Sequence, residues 1–311
     1  MSISSGGIIW QPGGGDGPGG GGGGKFQLLA VRCLRTSGTY NMQTDIDAIA
    51  AGTFDDTAYS DSGLKIAGEV THIKRQLIGG GGGGWNSSST DWDNQFQSLP
   101  GAVNEDFGFI SILGLTGLSS IAITIGSGGL RDQNGGFTQF SSGSLPSLRA
   151  AGGIKGNGAF SSTTARDNHI RDFLSHINNS TRDISFVRAY NRSSPFRNRV
   201  LLLDSRYGPG CGGMTVGDSF ASTNTGGSSY TASPSLSLLG GSGGSQDPAD
   251  GKQGKDATSY LGFGSGGGRG SSIRPTVPGG VPGGGGGTGS TSNTGAAGGR
   301  GEIRIEFWGM A

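Results

Sequence analysis

The residues with which this chain could make or break bonds are few: His72, His169 and His176, Cys33 and Cys211, and scattered acids. Their spacing gives little support to catalysis. Two cysteines make neither a disulfide framework nor a metal site. His169 and His176 stand two helical turns apart with Asp172 between them, so symmetry-related copies could gather a metal there. A solvated or intersubunit hydrogen-bonded pair is the simpler reading. The acid pairs Asp55-Asp56 and Glu105-Asp106 are adjacent and point apart on a strand, unlike a glycosidase pair. Gly19–Gly24 followed by Lys25 has the outline of a phosphate loop. Phe26, however, stands where a Ser or Thr should hold magnesium, and the run precedes a strand instead of following one. Gly240-Gly241-Ser242-Gly243-Gly244 fits a nucleophile elbow in letters but lacks the strand-to-helix setting. The expectation is a protein that is no enzyme, with no cofactor and no metal.

Binding is better supported. Trp85, Trp92 and Phe96 lie among Asn, Ser, Asp and Gln in a polar-aromatic stretch, whose ring faces and amides suit a carbohydrate; the same rings could equally cover glycine backbone. From Arg166 to Arg206, arginines alternate with Phe173, Phe186, Tyr190, Phe196 and Tyr207. Such a block could hold sugars or anionic polymers, or form a folded insertion whose arginines pair with Asp and with neighbouring subunits. Overall charge gives no help, because 23 Lys and Arg against 22 Asp and Glu leave +1. No nucleic-acid partner is expected on that balance.

What must position these groups is an unusual scaffold. Glycine fills 68 of 311 positions, about three times its average share. It clusters at the start and again over 208–301, yet is absent from 159–207. The runs lack the strict every-third spacing of collagen. Spaced apolar residues such as Met214, Phe220, Tyr230, Tyr260 and Phe263 argue against a bare linker. The glycines are therefore either loops between strands or packed extended segments. Because glycine adds no side chain to a core and loses the most entropy on folding, association with further copies is expected.

Strands are predicted over Phe26–Leu34, Glu69–Ile78, Phe107–Leu113, Ser119–Ile125, Ile184–Tyr190, Arg199–Asp204 and Glu302–Trp308, the last in clean period-two alternation. Helices are predicted over Thr164–Asn178 and, more weakly, Thr44–Ala51. The fold class is all-β: a sandwich or jelly-roll-like glycine-rich domain with long glycine-rich loops and one or two short helices. Residues 1–25 read as an anchoring segment, 26–308 as the β domain with insertions at 41–68 and 159–207, and 309–311 as a tail. The opening residues lack the basic and apolar regions of a secretory signal. The apolar stretch 109–125 is interrupted by Ser, Thr and Gly and is too short to span a bilayer, so no membrane insertion is expected.

A succession of motifs runs through the chain: Thr36-Ser37-Gly38-Thr39-Tyr40; Glu69–Ile78 entering Gly79–Gly84; Gly114-Leu115-Thr116-Gly117-Leu118 before Ile121-Ala122-Ile123-Thr124-Ile125-Gly126; Arg149-Ala150-Ala151-Gly152-Gly153; Pro209-Gly210-Cys211-Gly212-Gly213; and Gly299-Arg300-Gly301 before the final strand. This order resembles the glycine-rich domain of bacteriophage tail-fibre and tail-spike proteins. The resemblance implies a β-rich homotrimer in the virion tail, made in the host cytoplasm and acting outside the cell. It implies other virion tail proteins as partners, with a host surface glycan or outer-membrane protein as receptor. On that reading Trp85, Trp92, Tyr230 and Tyr260 are the contact residues. Ile8, Ile9 and Trp10 are the peg that anchors the chain to a neighbour. The alternative is a purely structural virion part such as a tail-tip plug, head fibre or connector.

Overall fold

The last strand organises the molecule. In Glu302-Ile303-Arg304-Ile305-Glu306-Phe307-Trp308 the odd positions Ile303, Ile305 and Phe307 are fully buried on one face, and the even positions turn to the other. A computed structural model describes residues 24–85, 98–156, 209, 212, 254–268, 275–287, 289 and 294–311, together with the backbone of 185–190 and 200–205.

Among the described residues thirteen elements follow in chain order: β1 Phe26–Leu34, β2 Gly38–Tyr40, α1 Met42–Ala50, β3 Gly63–Leu64, β4 Glu69–Ile78, β5 Val103–Glu105, β6 Ile110–Ser111, β7 Ile121–Thr124, β8 Thr138–Ser141, β9 Leu148–Ala150, β10 Ser185–Tyr190, β11 Val200–Ser205 and β12 Glu302–Met310. The six-stranded sheet has the order β3-β1-β12-β4-β5, with β6 also on β4; β2-β7-β8-β9 form a second sheet and β10-β11 a pair. Every pairing is antiparallel. The two larger sheets share one apolar core, with Leu29, Ile73, Leu77, Ile305 and Phe307 from the first against Ile121, Ile123 and Phe140 from the second. The all-β expectation therefore holds. Bounds for β1 and β4 are as the sequence reading places them.

The weaker helix forms as α1. Asn41 caps it, its side-chain oxygen accepting from the Thr44 amide at 3.2 Å. Asp45 in its first turn receives the Arg32 fork at 2.8 and 2.6 Å and the Tyr40 hydroxyl at 2.6 Å. This ties the helix to β1, and burial beside the Asp45 carboxylate pushes the Tyr40 phenol upward. The predicted helix over 164–178, with His169 and His176, lies outside the described residues, as does Cys211.

Between the sheets and the far end of the molecule the glycines form a regular structure of their own. Gly79–Gly84 leaves β4 as neither helix nor strand, and all six residues are buried. Their amides donate in a cycle of three. Gly79 and Gly82 bond Ala102 and Leu99; Gly80 and Gly83 bond Gly136 and Gln133; Gly81 and Gly84 bond Gly299 and Ala296, all at 2.8–3.0 Å. Each partner number falls by three as the glycine number rises by three, so these three neighbours run antiparallel. Three residues per turn is the polyproline II repeat.

The α-carbons face three other segments with the same period. A side chain on Gly79 or Gly82 would strike the carbonyl oxygen of Ala151 or Ile154, on Gly80 or Gly83 that of Ser127 or Leu130, and on Gly81 or Gly84 that of Gly284 or Gly287. These partner numbers rise together, so the three segments run parallel. One extended glycine helix is thus ringed by six backbones. An extended chain of this kind has no internal hydrogen bonds, so its amides must find partners in neighbours. Such close approach is possible only without Cβ atoms. Of the two sequence readings for the glycines, packed extended segments describes this run. In this run the backbones lie against one another within a single chain.

Candidate functional site

The outward positions of β12 lie in register with outward positions on its neighbours. Trp308 pairs with Leu28 and His72, Glu306 with Val31 and Lys74, and Arg304 with Cys33 and Gln76; Gln76 in turn pairs with Glu105. Directly opposed residues share a face of the sheet, so alternation along one strand builds a continuous surface of rings, carboxylates and cations.

The end near Glu302 is roofed. Glu302 is fully buried and accepts from Arg35 at 2.9 Å, from Arg304 at 2.9 Å and from the Tyr59 hydroxyl at 2.9 Å. The same Arg304 donates to Gln76 at 3.0 Å and to the Gly262 carbonyl, and it lies 5.2 Å from the Phe263 ring centre. Burial next to Glu302 pushes the Tyr59 phenol up to about 12. Burial and the same carboxylate also push the Cys33 thiol up, which leaves it without the thiolate a nucleophile needs. The segment carrying Tyr260 is pinned by Asp61, which accepts from the Tyr260 amide at 3.0 Å and from the Ser259 hydroxyl.

Beyond that roof the face opens into a cavity of about 130 Å³ lined by Lys74, Arg75, Gln76, Glu105, Tyr260, Leu261, Arg304 and Glu306. Gln76 donates to Glu105 at 3.1 Å. Glu306 accepts from the Trp308 indole at 3.0 Å; burial nevertheless raises its carboxyl, against the pull of that bond and of Lys74. Tyr260 stands at the wall with its phenol pushed up to about 12 by burial, and the Lys65 ammonium lies 5.8 Å from its ring.

Past Trp308 the surface becomes aromatic. Phe26, His72, Phe109 and Trp308 converge from β1, β4, the approach to β6 and β12. Centroid separations run from 4.9 Å for Phe109–Trp308 through 5.4 Å for Phe26–His72 and Phe26–Phe109 to 6.0 Å for Phe26–Trp308. Phe109 is 51% exposed and Phe107 beside it 91%. Phe107 and Phe109 are thus the exposed rings beside a half-buried aromatic cluster.

Of the residues picked from sequence, Tyr260 alone lines this site. Trp85 ends the glycine helix with only 4% of its surface exposed, which is not the exposure of a contact residue. Trp92, Tyr230, Ile8, Ile9 and Trp10 lie outside the described residues. Glu105 and Asp106 diverge as expected, the first toward Gln76 on the outer face and the second toward Arg75. Trp308, His72, Phe109, Lys74 and Glu306 were not picked. The alternation in 302–308 was the available signal, because it separates the outward positions from the core positions. Among the described residues no three of His, Cys, Asp and Glu gather as metal ligands would.

The model of a family described as a glycine-rich domain matches residues 57–308. No curated protein matches the chain.

Proposed function

We propose, for a chain that belongs to the glycine-rich domain family, a role as a bacteriophage tail-fibre, spike or tip protein that binds the host surface and catalyses nothing. The observation that carries this reading is the polarity of the glycine bundle. Its sheet end joins β4, β5, β8, β9 and β12 through Gly79, Ala102, Gly136, Ala151 and Gly301. At its other end Trp85, Ser98, Asp132, Gly156, Gly287 and Ala296 come together, linked through bonds such as Gly289 to Trp85, Asp132 to Gly84 and Gly156 to Gly83. In sequence, residues 86–97 follow Trp85 and precede Ser98, and 157–184 follow Gly156; they lie outside the described residues. A shaft locked by its own backbone can accept changes in the connections at its end without disturbing its own packing. That arrangement suits an adhesin facing variable hosts.

Weak contacts repeated over the subunits of a trimer, and over several fibres, would combine as avidity. Its partners are then further copies of itself, other virion tail proteins and a host surface glycan or outer-membrane protein. The protein would be made in the host cytoplasm and act outside the cell. Labelled recombinant protein added to a panel of bacteria is expected to coat susceptible strains and to block infection by the phage that carries it. Absence of coating on every strain, with placement inside the particle, would favour the plug or connector reading.

A further inference from the structure

We propose that the outer face between Tyr260 and Trp308 is a saccharide site that takes one pyranose unit. The cavity of about 130 Å³ has the volume of about four waters, enough for the hydroxyl-bearing edge of one sugar ring. Its lining decides the ligand class. Glu105 and Glu306 oppose an anion, and Lys74 with Arg304 opposes a cation. A purely apolar group would displace water from these charges and offer no polar atom in exchange. A neutral polyol both donates and accepts at each hydroxyl, so its hydroxyls can donate to the two carboxylates and accept from the Lys74 ammonium.

The adjoining rings supply the other half of pyranose recognition. Trp308 is joined to the cavity through its bond to Glu306, and His72 precedes Lys74 by two residues on the same face. A strand advances about 3.3 Å per residue, so the ring cluster begins one residue pair, roughly 7 Å, from the cavity-lining groups. A pyranose spans that distance, its C–H face against Phe109 and Trp308 and its edge in the cavity. Phe109 is half exposed while its neighbours Phe26 and Trp308 hold it on one side, leaving a ring surface without a protein partner among the described residues. The site rests on the host-surface reading only for what supplies the sugar.

The test is saturation-transfer NMR on the full chain, using methyl glycosides of the common hexoses and N-acetylhexosamines. At least one glycoside should bind with a Kd near the millimolar range, and Phe109→Ala and Lys74→Ala should each weaken it about tenfold. Phe109 lies at the surface, so its variant should melt as the parent does. Binding by no glycoside, or binding unchanged in both folded variants, overturns the proposal. Coated cells without glycoside binding would sink this site alone; glycoside binding without coated cells would leave it standing and sink the host-surface role.

Discussion

A single methyl group at Gly82 will strongly destabilise this protein. In Gly82→Ala the new carbon lands on the Ile154 carbonyl, with the Lys155 amide behind it. Both are backbone atoms, so no rotamer change relieves the clash. Moving that segment would also stretch the bonds from Gly82 to Leu99 and from Leu99 to Ile154, each 2.8 Å. Ordinary overpacking costs about 1–3 kcal/mol. A rigid backbone collision in the centre of the bundle should cost about 4 kcal/mol or more, and the melting temperature should fall by roughly 10 °C or more. The controls are Gly108→Ala and Gly143→Ala, where a side chain meets nothing within 4 Å and φ lies outside the left-handed region. Those should stay within about 0.5 kcal/mol of the parent. Urea melts of the three variants check the contrast.

The second large effect belongs to Arg75. Its side chain is wholly buried, yet it carries a charge into the shared core. Asp106 answers it, accepting from Nε at 2.9 Å, from the terminal nitrogen at 2.8 Å and from the Arg75 amide at 2.8 Å. The Pro146 carbonyl takes a further bond at 2.8 Å, and the Phe140 ring lies 4.7 Å away. Asp106→Asn keeps the shape but leaves the guanidinium without its counter-charge. The expected loss is about 3–5 kcal/mol. In Arg75→Met/Asp106→Asn no buried charge remains, and the Asn oxygen still accepts from the backbone amide. The double variant should therefore be more stable than Asp106→Asn alone, a coupling that denaturant melts in a double-mutant cycle read directly.

How much of this was legible depends on whether the signal lay along the chain or between segments. β1 was readable from its mostly apolar run, and β4 from Val70, Thr71, Ile73, Leu77 and Ile78 ahead of the glycine run. The alternation of Ile303, Ile305 and Phe307 marked the core face of β12. Val103–Glu105 and Leu148–Ala150 went unread because three residues carry no measurable period. Gly79–Gly84 is a more instructive case. Six identical residues show no period in themselves; the repeat of three appears only in the numbering of their partners. The candidate site was half legible for the same reason. The alternation put Glu306 and Trp308 on one face, whereas their pairing with Lys74 and His72 and the approach of Phe109 are long-range register. Trp85 carried two readings, sugar contact or cover for backbone, because an aromatic beside a polar stretch suits either; its 4% exposure agrees with the second.

At the centre of the structure is a shaft of main chain held by main chain inside one polypeptide. Native-state hydrogen exchange at Gly79–Gly84, on dilute protein, tests it most directly. Six amides bonded to three separate segments should open only with the whole molecule and exchange among the slowest in the chain, with rates independent of protein concentration. Exchange at the speed of an unstructured glycine peptide, or protection that vanishes on dilution, would contradict it.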